Sequence, residues 1–155
     1  MATKKDVAVQ AVAQTYADLD RTLDALTETE LLRASSNEGW SGKDTLAHLS
    51  TIEERTQGQI RCALEGGSWN PPEVIDAYNA RQVAARRGWS VKQLRDELRD
   101  QHEATLSLLR TASESDFDKA FDHPRWGRTT LEALCTHIAQ HVGMHASEIA
   151  AVRAG

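Results

Sequence analysis

Val12, Tyr16, Leu19, Leu23 and Leu26 follow one another at alternating steps of four and three residues. That spacing gathers them on one stripe and predicts a helix from about Lys4 to Leu26. Thr27 and Glu30 then form a capping-box pattern for a short helical turn. A second long helix is expected from Ser41, with Asp44 three residues on. It carries Leu46, Leu49, Ile52, Ile60 and Leu64 and stops at Gly66-Gly67. Gly58 lies inside it at some cost to helix propensity. "NPPE" reads as the start of a third helix, with Asn70 as cap, Pro71 and Pro72 in the first turn and Glu73 completing the box, ending near Gly88. Ser90 and Gln93 open a fourth, with Leu94, Leu98, Leu106 and Leu109 largely on one side. Ser113 to Arg128 loses the pattern and reads as an ordered connection with a short helical turn. Thr129 and Glu132 start the last helix, whose seam is Leu131, Leu134, Ile138, Val142, His145, Ile149 and Val152. No stretch alternates convincingly enough to be a strand. The expected fold is an all-α, antiparallel four-helix bundle with short additional helical turns, formed as a single domain over residues 1–155.

Composition narrows the function without identifying it. The 155 residues are 40% hydrophobic and 26% charged, with a net charge of −5. The acidic balance argues against a nucleic-acid partner: Arg81, Arg86 and Arg87 lie among Asp76, Asp96 and Glu97 and read as a solvated face. No apolar run approaches a membrane span and "MATKKDVAVQ" lacks the apolar block of a signal peptide, so a cytoplasmic location is expected. Cys62 and Cys135 lack CxxC spacing and read as small apolar residues rather than redox centres.

The chemistry lies in the histidines. Three of the six fall at His137, His141 and His145. Helical residues four apart are separated by about 6 Å along the axis and can converge on one ion, whereas residues eight apart are about 12 Å apart and cannot. The ligand pair is therefore His137/His141 or His141/His145. Periodicity favours the latter, because His145 falls in the apolar seam and must be hydrogen-bonded or ligated there. A third donor has to come from another element, and His48, between Leu46 and Leu49, is the best placed. His102, in a charged segment, and His123, in the aromatic connection, are less persuasive. The competing reading of His48 is an ordinary core histidine.

"GWSGKDTLAHLSTIEER" resembles the DinB/YfiT-like superfamily helix that reads W-[ST]-x-x-D-x-L-x-H-L and supplies a metal histidine. "HVGMHASEIAAVR" is similar to the closing signature of that family. Anchoring on Glu148-Ile149 and Arg153 carries the ligands onto His141 and His145; anchoring on Gly143 would choose His137 and His141. The resemblance implies a four-helix bundle holding a divalent ion, zinc or nickel, on three histidines. It further implies an enzyme that activates water or a thiol such as mycothiol or bacillithiol toward an electrophilic small molecule, and a homodimer by analogy. The alternatives are a protein that sequesters a small molecule, or an inactive metal-stabilised bundle. Asn79 and Arg81 in "YNARQ" resemble a patch of one branch that would orient a carboxylate or thiol sugar; an exposed helix face is the competing reading. Cys62, fourteen residues past His48, lies about 21 Å along the helix, and Cys135 is about 240° around the axis from His141, so any reacting sulfur should arrive with a co-substrate. Trp69 and Trp126 are candidate cavity walls. Trp40 and Trp89, each before a capping serine, read as hydrophobic staples.

Overall fold

Four helix starts are closed by the same device. Thr3 with Asp6, Thr27 with Glu30, Ser41 with Asp44 and Ser90 with Gln93 each form a reciprocal capping box, satisfying backbone N–H groups that a helix leaves free at its first turn. In the computed structural model, which describes residues 1–153, these caps open α1 (Lys4–Asp24), α2 (Glu28–Leu31), α3 (Gly42–Glu65) and α5 (Val91–Thr111). Helices α4 (Ile75–Ala85) and α6 (Leu131–Ala151) complete the helical set, with a 3-10 turn at Glu114–Asp118. The last helix is capped by Thr130, one residue later than the sequence pattern suggests.

The four long helices form a closed ring in which α1 packs along α6, α6 along α3, α3 along α5 and α5 along α1. Consecutive long helices α1 and α3 thus lie across the bundle from each other. Each contributes the expected stripe: Val12, Tyr16, Leu19 and Leu23 from α1, Leu46, Leu49 and Ile60 from α3, Leu94, Leu98 and Leu109 from α5, and Leu131, Leu134, Ile138, Val142 and Ile149 from α6 are all buried. The architecture is a four-helix bundle.

Two segments differ from the sequence reading. "NPPE" does not begin a helix: α4 starts only at Ile75, its cap residue Val74 makes no side-chain capping bond, and Asn70 donates to the Ser68 carbonyl instead. Two successive prolines explain this, since each biases the residue before it away from helical angles and keeps the segment extended. The second difference is a two-stranded antiparallel hairpin, β1 (Ala120–His123) and β2 (Gly127–Thr130), where no strand was expected. Its three-residue loop closes on Gly127, whose φ of 68° is left-handed, the position a glycine serves in such hairpins. Phe121 and His123 point inward and Asp122 outward; four residues are too few for alternation to register. Full burial of Phe121 anchors the hairpin to the bundle by about 2 kcal/mol.

The hairpin holds the connection after α3. Trp69 N–H donates to the Asp122 carbonyl (2.8 Å) and Asp122 N–H to the Gly67 carbonyl (3.0 Å). Gly58 now has a reason to interrupt α3: a Cβ there would lie 2.8 Å from the Trp69 ring. The indole lies against bare helix backbone, and the lost helix propensity is exchanged for that contact.

Candidate metal centre

His48 sits in the second turn of α3, while His141 and His145 lie one turn apart on α6, the neighbouring helix. Their side chains meet in the interior. His48 Nε2 and His141 Nε2 are 3.4 Å apart, and one ring nitrogen from each of the three histidines lies within 4.8 Å of the others. Three residues bring three ring nitrogens to one point, an arrangement that could hold a metal ion.

Burial keeps two of these donors, His48 and His141, unprotonated. His48 and His141 are both pushed down to about 3, first by desolvation and then by the neighbouring imidazoles. His145 Nδ1 is 2.7 Å from Glu148 Oε2. A carboxylate at this distance suits the tautomer with the proton on Nδ1, which would leave the Nε2 lone pair for a ligand's role. For His48, buried Nδ1 and Asn79 Oδ1 both lack a partner at ordinary hydrogen-bond geometry, yet Asn79 is close enough to favour protonation of His48. Trp40 precedes the Ser41 cap as a staple would, but its ring also tilts over His48 at 5.3 Å between centroids.

His137 stands apart from this cluster. It is exposed at the rim, tilted against Trp126 (4.2 Å), with its ring centroid 6.1 Å from that of His141. Beside it His123 stacks on Trp126 at 3.8 Å, and its Nδ1 accepts from Arg125 N–H. Of the cluster, His48 and His141 open onto a cavity of about 550 Å³, walled by Trp69, Trp126 and Asn79 and bordered by the extended Asn70–Val74 segment; His145 does not line it. Arg81 is not among the lining residues; its guanidinium pairs with both oxygens of Glu73. Neither cysteine lines it, and burial pushes the Cys135 thiol up to about 12.

A profile of the DinB superfamily matches residues 11–149. The chain belongs to the DinB superfamily. Among solved structures, a mycothiol-dependent maleylpyruvate isomerase superposes with a TM-score of 0.81 at 16% identity, over 96% of this chain and 63% of that one. The chain therefore spans less than two thirds of the isomerase. YfiT from Bacillus subtilis, described as a probable metal-dependent hydrolase with an unusual four-helix bundle topology, superposes with a TM-score of 0.71 at 21% identity, over 100% of this chain and 90% of that one. At these identities the likeness speaks for the fold. No curated protein gives a significant match.

This DinB-superfamily bundle also buries a carboxylate to which the sequence assigns no role, because it lies off the four-residue step from His48. Glu53, 1% exposed, accepts from Tyr16 Oη on both oxygens (3.0 and 2.9 Å) and from Thr105 Oγ1 (2.6 Å). Desolvation, partly offset by those two hydroxyls, pushes its carboxyl up to about 7. His102 stacks on Tyr16 at 3.5 Å with its Nε2 3.7 Å from Glu53 Oε1, and burial lowers it to about 3. Setting His102 aside for lying in a charged segment misses this, because Arg99 and Glu103 are its neighbours along the helix while the ring turns inward. The signal was available at Glu53: Leu46, Leu49, Glu53, Gln57 and Ile60 share one seam, and a charged residue in a seam requires partners, as argued for His145.

Proposed function

We propose that this chain is a divalent-metal-dependent enzyme that activates a water or low-molecular-weight thiol for attack on an electrophilic small molecule. One observation carries the reading: the 3.4 Å between the facing Nε2 atoms of His48 and His141. Two metal–nitrogen bonds of about 2.05 Å at a tetrahedral angle span about 3.3 Å, so the gap is that of two ligands on one ion. Without a cation, two buried lone pairs at this distance have nothing to hold them unless one ring turns donor. Imidazole-only donors suit zinc or nickel, and Glu148 behind His145 is the outer carboxylate such sites use to orient a ligand.

A bound ion with three protein ligands would supply Lewis acidity at an open position, lowering the pKa of water or a thiol there. The chain's own residues do the rest. His48, His141 and His145 fix where the nucleophile stands. Trp69, Trp126 and the proline segment restrict solvent around it. Glu53 lines the same cavity and, poised near neutrality, supplies a carboxyl able to take up the released proton. With both cysteines remote, the thiol must come with a co-substrate such as mycothiol or bacillithiol.

The test pairs metal analysis with turnover. Purified protein should bind one zinc or nickel ion per chain and consume an alkylating dye only with metal and either mycothiol, bacillithiol or glutathione present. Stoichiometric capture without turnover would favour a sequestering protein. No metal uptake and no consumption would refute the proposal.

A further inference from the structure

Three arginines of the chain are partly buried: Arg55, Arg86 and Arg95. Arg86 pairs with Glu97 at 2.9 Å, and Arg95 with Asp20 and Asp24 at 2.7 and 2.8 Å. Arg55 has no carboxylate within ion-pair distance among the described residues, although burial works against its charge. One N–H donates to the Glu73 backbone carbonyl (2.8 Å), and Nε has no partner. The Glu73 carboxylate, which acts on Arg55 only beyond ion-pair distance, is bonded to Arg81. A guanidinium partly removed from water with no carboxylate at ion-pair distance is costly, and such a group is retained where something else supplies the anion.

Its position is fixed with care. The guanidinium carbon lies 5.0 Å from the Tyr78 ring centroid and 5.9 Å from that of Trp69. Tyr78 is held in turn by donating to the Thr51 carbonyl (2.8 Å), and Trp69 by its contact with Gly58. Arg55 lines the same cavity as His48 and His141. It follows His48 by seven residues on α3, about 10 Å along the axis and within about 20° of the same face. At the mouth, exposed Arg125 also lacks a carboxylate partner among the described residues. An acidic protein has thus placed two arginines without ion-pair partners on one cavity, beside an apolar and aromatic surface of Ile52, Trp69, Val74 and Trp126. The carboxylates that also line it are engaged elsewhere, Glu73 by Arg81 and Glu53 by Tyr16 and Thr105.

We propose that Arg55 is the anchor for a carboxylate, and that the cavity takes a small organic acid whose apolar or aromatic body lies between the carboxylate and the histidine cluster. The assignment rests on the metal reading for where the reactive end sits, and on Arg55 alone for the acid. A single planar fork between two rings fits a planar monoanion. A phosphate dianion in so apolar a cavity would need more cationic partners than this.

Isothermal titration of phenylacetate, phenylacetamide and phenyl phosphate against zinc-loaded and chelator-treated protein tests it. Phenylacetate should bind more tightly than the amide and than the phosphate in both forms, which separates Arg55 from a carboxylate ligating the ion. In Arg55→Gln the preference over the amide should fall by about tenfold to a hundredfold, the loss expected for a charge-assisted hydrogen bond. Arg55→Lys should fall in between, keeping charge without the fork. Equal binding of acid and amide by the wild type, or an unchanged preference in folded Arg55→Gln or Arg55→Lys, would overturn the proposal; a stronger phosphate than carboxylate would overturn the choice of anion. Carboxylate preference in a protein that takes up no metal would sink the metal reading and leave this one standing.

Discussion

Replacing Glu53 by Gln removes one titrating proton from the middle of the bundle while keeping the size and one carbonyl acceptor. The groups facing Glu53 are Tyr16 from α1 and Thr105 and His102 from α5, with Gln57 one turn along α3 donating to Thr105. None of them supplies a compensating positive charge, since burial keeps His102 neutral. A carboxyl with an ordinary value of 4.5, pushed up to about 7 in the folded protein, binds its proton more tightly folded than unfolded. Its contribution is therefore fully favourable below pH 4.5 and is lost as pH rises to about 7, by about 3 kcal/mol in all. His48, His102 and His141 act oppositely: lowered from 6.5 to about 3, they withdraw stability as pH falls below 6.5. These histidines are common to both proteins and cancel in the difference. Urea unfolding of chelator-treated wild type and Glu53→Gln at half-unit steps from pH 5 to 8 isolates the carboxyl. The wild type should lose about 1.4 kcal/mol per pH unit relative to the variant between pH 5 and 6.5, then run parallel to it above pH 7.5. A difference that does not change with pH would refute the assignment of a raised value to this buried group.

Metal content should fall to background in His48→Ala, His141→Ala and His145→Ala, while His137→Ala retains most of it; full retention in His145→Ala with loss in His137→Ala would show that the other pair on α6 does the binding. Glu148→Gln should weaken zinc affinity by about 10- to 100-fold, read by competition with a chelating dye, because His145 loses the acceptor that orients it. Gly58→Ala should displace the Trp69 ring, which the new methyl would meet at 2.8 Å. The cost by overpacking is about 1–3 kcal/mol in urea unfolding, with a shifted tryptophan emission, and unchanged emission would refute the contact.

Much of the bundle was legible because its helices announce themselves locally. Capping boxes at Thr27, Ser41 and Ser90 act within one turn, and the stripes of α1, α5 and α6 follow directly from 3.6-residue periodicity. The errors fall where local rules compete. Pro71 and Pro72 suit a helix's first turn, but each also disfavours helix in the residue before it, and the second effect won. The hairpin depends on pairing between two four-residue segments, which no single-segment pattern reports. At the site, seam position brought forward His48 and His145, whereas Arg81 belonged to an exposed pair with Glu73 and His102 to the buried wall around Glu53. Those outcomes turn on which way a helix faces its neighbours.

Helix α3 makes the difficulty concrete, because it carries two inward stripes rather than one. Leu46, Leu49, Gln57 and Ile60 face the core, and Glu53, buried on the same stripe, also reaches the cavity wall. His48, Ile52, Arg55, Thr56 and Gln59, at steps of four, three, one and three, face the cavity, on a stripe rotated by about 100° from the first. By composition this second stripe looks like a solvated surface. Charge pattern distinguishes it. A solvated helix face tends to pair opposite charges at three- or four-residue spacing, as Lys92 and Asp96 do on α5. The residues at those spacings from Arg55 are Thr51, Ile52, Gly58 and Gln59, and none is charged. A lone cation within a turn of a half-buried isoleucine and two turns from a buried histidine is not arranged for water; it is arranged for a ligand that brings the missing charge.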